Sequence, residues 1–450
     1  MPRVPRALLI PLLAVLTLTF DFGVGARALP DPPPRVVDPW SLPTVAGGHA
    51  LGDPQLAFTG HGDGAIAWSL LGGGGRALSL GAPGSPAGAL RAAAGPPGPR
   101  ALPLASVGAA TSDGRGRVVL AGQLAGRATA TLEADPSGPF GGPVAIDPGT
   151  GPVALADYLT GEVALADTAS RGATTRVLLR LQLPRAPAPG PPTLLSAGSG
   201  PVSAIAVGLD YGGDALVAWQ QDGLIFARER RKSGTLGPLQ RLGISGAGPR
   251  LGALISDDGR GIVAWTDEIA GPLRTTIAST HLSISRPGVR FAHTTLVQAW
   301  VEPPGTRLGN GAMRLLRLSD GRVVLGWTAG QGSAIVARVA PVTLAGLHPA
   351  VTVSEAGTDA QLDDLAAGTR GEVLAVFTAG SPGGGGEIES AVGIDDGDGQ
   401  GSFAPAEPVA AVAAPSGVTA AFEPVGDRPV IVWRAGAAVE YAVRTAATLP

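Results

Sequence analysis

Seven residues near the C-terminus, Asp395-Asp396-Gly397-Asp398-Gly399-Gln400-Gly401, carry the most explicit chemical pattern in the chain. Counted from Asp396, oxygen donors (Asp396, Asp398, Gln400) fall at the first, third and fifth places. Gly401 falls at the sixth and Glu407 at the twelfth. A hard cation such as calcium needs oxygens clustered in this way. Pro405 disfavours the helix that should follow such a loop, and other parts of the chain carry the same Gly-x-aromatic-x-Pro turn without acids. An ordinary acidic turn is the preferred reading. Arg228-Glu229-Arg230-Arg231-Lys232 is the densest charge run. It could meet an anionic glycan or a partner, but reads better as a solvated outer strand and turn. Asp363-Asp364 reads as a surface pair. The glycine runs Gly72–Gly75 and Gly383–Gly386 lack the Lys-Ser/Thr that phosphate binding requires, and read as hairpin tips. No catalytic, cofactor-binding or metal-ligating residue is assigned.

The counts exclude further chemistry. The chain has no Cys, hence no disulfide, thiolate metal site or cysteine nucleophile. The five His residues (His49, His61, His281, His293, His348) never stand three to five residues apart, so no zinc-type helical pair exists. A formal charge of −3 gives no basic excess to neutralise phosphates, and no nucleic-acid partner is expected.

The elements that would position any site come from a repeat. Gly (69) and Pro (42) together make about a quarter of 450 residues, yet only 15% are charged. That balance fits a folded, turn-rich chain rather than a disordered one. A Gly turn followed by a small-aliphatic run, often closed by an aromatic, recurs eight times. It reads GDGAIAW (62–68), GRVVLAG (116–122), GEVALAD (161–167), GDALVAW (213–219), GRGIVAW (259–265), GRVVLGW (321–327), GEVLAVF (371–377) and RPVIVW (428–433). Successive last residues are 45 to 62 apart. Each unit adds an apolar segment before the turn and an alternating one after it, which predicts three or four antiparallel strands per unit. The central run is apolar on both faces, so sheets should pack on both of its sides. Its Trp residues are expected to fill that core rather than stack on sugars.

The array resembles secreted bacterial β-propeller repeat proteins over residues ~40–450. The resemblance implies an all-β propeller, and the eight anchors give eight blades, with seven as the alternative. Ser41–Ala46 resembles a fourth strand that the last unit lacks, and could complete it. The turns Ser256-Asp257-Asp258-Gly259 and Ser319-Asp320-Gly321 resemble the Asp-box turns of sialidase-like propellers, but the full spacing is not met and a plain hairpin turn is preferred. A sialidase would also need arginines, an acid and a Tyr nucleophile. The tyrosines are Tyr158, Tyr211 and Tyr441, and Glu440 and Tyr441 should point to opposite faces of one strand.

At the N-terminus, Arg3 and Arg6 precede an apolar run over 7–20 and Ala26-Arg27-Ala28, the layout of a cleaved signal peptide (1–28). A Pro-rich extended lead-in (29–40) and the repeat domain (41–450) follow. The expectation is therefore an exported protein, secreted, periplasmic or at the cell surface. It would be monomeric, not membrane-inserted after cleavage, and would act as a non-enzymatic scaffold for a protein or glycan. The alternative is a carbohydrate-active enzyme of sialidase or polysaccharide-lyase type. Arg and acidic side chains converging from different repeats would favour the enzyme, and an apolar or glycine-lined end would favour binding.

Overall fold

The computed structural model describes residues 40–444 except 82–98, 114–115, 125–127, 135–140, 149–150, 159, 185, 187, 247–248, 271–275, 287–289, 292, 303–312, 332–333, 344, 356, 381–384 and 395–401. The expected leader, most of the lead-in and the Asp396–Asp398 turn lie outside the described residues. Among the described residues the chain is all-β, and no helix is long and apolar enough to cross a membrane.

Eight antiparallel sheets form, one per repeat, each of four strands with a short fifth in the sixth and seventh. The repeats without an aromatic anchor, the second and third, each make a sheet of their own. The first strands are Ala50–Phe58, Ser106–Ser112, Ala154–Asp157, Val202–Leu209, Leu251–Ile255, Met313–Arg317, Ala360–Ala367 and Pro415–Glu423. Each touches the first strand of the next sheet, and that of sheet 8 touches that of sheet 1.

The repeated Gly has a local cause. Between first and second strands the chain turns through one residue of positive φ, such as Gly161 (φ 88) or Gly213 (φ 82). A three-residue hairpin loop needs a left-handed residue there, and glycine takes it without a Cβ clash. Repeat eight lacks the Gly, and Asp427 adopts φ 50 in its place. Asp is one of the few side chains that tolerate this region.

The second strands carry the core. Ala65, Ile66, Ala67 and Trp68 are all 0% exposed, as two-sided packing demands. Each anchor aromatic packs on the preceding sheet: Trp219 against sheet 3, Trp265 against sheet 4, Phe377 against sheet 6, Trp433 against sheet 7. Such a ring removes roughly 150–250 Å² from water. Trp68 packs against Val430, Val432 and Val439 of sheet 8.

The N-terminal segment joins sheet 8. Thr44–Gly47 pairs antiparallel with Ala438–Val443, and the Ser41 amide donates to Val443 O at 2.8 Å. The strand starts three residues later than the sequence suggested, while Trp40 makes a separate bridge to Arg444. A Cβ on Gly47 would come within 2.5 Å of Trp68 Cζ2. Gly243, on the fourth strand of sheet 4, stands in the same relation to Trp265, at 2.7 Å. The N-terminal strand thus meets the next sheet's tryptophan as an ordinary fourth strand does.

Two expectations need correction. The run Arg228–Lys232 is a turn at its end, as expected, but not an outer strand at its start: Leu224–Arg230 is the third strand of sheet 4, paired through Ala227 with Gln240–Ile244 and by a bridge from Arg230 to Leu236. Arg228 donates to Gly237 O and, across the sheet boundary, to Leu195 O. Nor is Asp363-Asp364 a surface pair. Asp364 is 7% exposed and takes hydrogen bonds from Arg314, Thr419 and the Ala420 amide, which ties sheets 6, 7 and 8. The strand Ala360–Ala367 bulges at this point, and Asp363 serves a different partner, accepting from Thr378. Gly72–Gly74 do form a hairpin tip, all at positive φ.

Candidate functional site

The ends of the first strands bring together what the sequence scatters. In several sheets the residue opening the turn caps it. Asp113 accepts the Arg117 amide, Asp210 the Asp214 amide and Ser256 the Arg260 amide, at 2.7–3.2 Å. Sheets 3, 6 and 7 break the rule, with Tyr158, Leu318 and Gly368 in that place. One position earlier stand Phe58, Ser112, Leu209, Ile255, Ala367 and Phe422, all uncharged, but Asp157 in sheet 3 and Arg317 in sheet 6. Departures from a local rule concentrate where a protein does something besides fold.

The exceptions of sheets 3 and 6 meet one another. On the strand Met313–Arg317 side chains alternate, so Leu315 packs toward sheet 5 and Leu316 toward sheet 7. Arg317 shares the parity of Leu315 and reaches back over sheets 5, 4 and 3. Its Nη1 donates to Ile255 O at 3.2 Å and Leu209 O at 3.0 Å. Its guanidinium carbon lies 4.2 Å from the centroid of the Tyr158 ring, a cation–π contact of about 0.5–2 kcal/mol. The Tyr158 hydroxyl donates to Asp257 Oδ1 at 3.1 Å, and Arg317 Nη1 lies 3.8 Å from the same oxygen. Tyr211 stands edge-on to Tyr158 at 5.7 Å and is 68% exposed. Beside them Thr111, of sheet 2, donates to Asp157.

The electrostatics follow. Burial pushes the Asp157 carboxyl above the usual carboxylate range, while the Thr111 hydroxyl and the Arg317 charge work against it. Burial also raises the Tyr158 phenol; Arg317 opposes this, and Asp257 and Asp210 add to it. Asp210 is raised by burial and by the charge of Asp214, against the amides of its own turn. Tyr158 is therefore a hydrogen-bond donor with a reluctant proton.

Of the residues the sequence singled out, Asp257 belongs to this cluster, whereas its neighbours only build the turn: Ser256 donates to Asp258, which pairs with Arg260. Asp320 likewise pairs with Arg322. Glu440 accepts from Trp433, and Tyr441 is buried in the core against sheet 1. Asp157, Tyr158 and Arg317 were not legible as a site. The only signal was a Tyr and two charges at positions that other repeats fill differently. Among the described residues no group of three His, Asp or Glu is arranged to hold a metal ion.

No family model matches the chain. No curated protein matches it either. A lectin, BP39L from Burkholderia pseudomallei, superposes with a TM-score of 0.50 at 13% identity, over 82% of this chain and 100% of the lectin. The fold is a β-propeller. At that identity the likeness bears on the propeller fold alone. Two weaker likenesses carry no argument: the fucose-specific lectin of Aleuria aurantia (TM-score 0.38, 11% identity, 69% of this chain and 100% of that one) and an ulvan lyase (0.37, 10%, 73% and 90%).

Proposed function

We propose that the chain is an exported, monomeric β-propeller that binds a glycan without transforming it, at the end of the first strands of sheets 3 to 6. The observation that carries this is an exposed aromatic, Tyr211, set against Tyr158, whose hydroxyl donates to the carboxylate of Asp257. Sugars are held by ring stacking on an aromatic and by hydrogen bonds from hydroxyls to a carboxylate. The lectin of similar fold makes a glycan the first ligand class to test. The eight sheets are read as eight blades around a channel, closed by Thr44–Gly47. The Gly47–Trp68 contact and the touch between the first strands of sheets 8 and 1 support that reading. Export rests on the sequence of residues 1–28.

The enzymatic alternative has one observation in its favour. Arg317, Asp257 and Tyr158, from three sheets, do converge, and a phenol hydrogen-bonded to a carboxylate can relay a proton. Against it, Tyr158 is 7% exposed with Arg317 across its ring, and its phenol holds its proton more firmly than usual. A glycan array with wild type, Tyr211→Ala and Tyr158→Phe decides between them. Binding that is lost in Tyr211→Ala and kept in Tyr158→Phe, with no shortened product by mass spectrometry, supports the binding propeller. Product that disappears in Tyr158→Phe supports the enzyme.

A further inference from the structure

We infer that this site selects an amine-bearing, cationic sugar and rejects uronic and sialic acids, an inference that rests on the glycan-binding reading above. Recognition of a sugar carboxylate requires a cation whose donors face the ligand. Arg317 is the cation at the centre of the cluster, and it is committed to the protein. Its Nη1 serves two backbone carbonyls and lies near Asp257, and its plane lies on Tyr158. Arg260 and Arg322 pair with Asp258 and Asp320 of their own turns, and Lys232, an exposed side chain, lies 3.9 Å from Glu162.

Within the Arg317–Asp257 pair the carboxylate is the more open partner. Asp257 has 42% of its side chain accessible; Oδ1 takes the Tyr158 hydroxyl, and Oδ2 faces the turn at Gly321. Asp210 and Asp214 stand in the adjacent sheet, and Asp157 lies one residue from Tyr158. Burial is the main cause of the upward shifts of Asp210 and Tyr158, and a neighbouring carboxylate adds to each. An ammonium group supplies three donors and a positive charge to such a surface. The open face of Tyr211 would stack on the sugar ring and gain a further attraction from the cation.

The test is calorimetry at pH 6 with three hexamers: glucosamine, N-acetylglucosamine and galacturonate. The glucosamine hexamer should bind about tenfold tighter than its acetylated form and lose that advantage in high salt. Galacturonate should not bind. Asp257→Asn should bring the first two ligands to equal affinity while lowering the melting temperature only slightly, because the amide oxygen still accepts from Tyr158. Asp214→Asn, at a more peripheral carboxylate, should narrow the gap in part. Equal affinity of wild type for the first two ligands, or binding of galacturonate, overturns the charge selection and leaves glycan binding standing. Absence of binding by all three hexamers, and by a broad glycan array, overturns both.

Discussion

The Tyr158 hydroxyl donates to Asp257 Oδ1 at 3.1 Å although 99 residues separate them in sequence. The bond ties sheet 3 to sheet 5 over the end of sheet 4, with Arg317 of sheet 6 on the Tyr158 ring. Removing the hydroxyl should therefore loosen a contact and leave the core intact. Tyr158→Phe is expected to cost about 0.5–1.5 kcal/mol, the usual net value of one hydrogen bond. Tyr158→Ala should cost about 3–5 kcal/mol, because it also empties a packed site. Chemical denaturation of the two variants measures the difference, and equal losses would show that the hydroxyl, not the ring, holds the sheets.

The anchor tryptophans answer to a different measurement. Trp219, Trp265 and Trp327 are 0%, 1% and 2% exposed, each at a boundary between sheets. Replacement of any one with Ala should cost about 3–5 kcal/mol. Each ring joins two sheets, so the loss should appear as a lower melting temperature in one cooperative transition. Unchanged melting temperatures in all three variants would contradict the packing.

Gly47 allows a test of the N-terminal strand. A side chain there meets Trp68 at 2.5 Å, so Gly47→Val must displace either the strand or the tryptophan. The expected result is a marked fall in melting temperature, while Gly48→Val, with nothing within 4 Å, should be nearly neutral. Equal behaviour of the two variants would argue that the strand does not seat on sheet 1.

A pH effect should come from Asp363. Burial pushes its carboxyl up to about 7 from an ordinary value of 3.8, with the neighbouring Asp364 adding to the rise and Thr378 and Arg314 opposing it. Between these values the folded protein holds a proton that the unfolded chain has lost. The contribution of Asp363 to stability is thus greatest below about pH 4 and is lost as pH rises through 7. Asp363→Asn keeps an acceptor for Thr378 and carries no charge. It should flatten this part of the melting profile and raise the melting temperature above pH 7. A variant profile parallel to wild type across pH 4–8 would remove Asp363 as the cause.

The sequence by itself determined the repeat and its strands. Ala65–Trp68 announces a strand buried on both faces, and Gly161 or Gly213 announces the turn before it, because both signals are local: a side-chain period and a backbone angle. It also anticipated that residues near Ser41 would complete the eighth sheet. What it could not determine is which turn residues share an end. Asp257 reads as hairpin chemistry because an Asp-Gly turn is a sufficient local reason for it. Tyr158 and Arg317 read as ordinary strand ends. Their roles arise only when the sheets stand beside one another. That juxtaposition depends on the packing of Trp219 on sheet 3 and Trp265 on sheet 4, contacts across tens of residues with no local periodicity to betray them. Asp363-Asp364 was misread for the same reason. Two adjacent acids look solvated until Arg314, Thr378 and Thr419 arrive from three other strands to satisfy them.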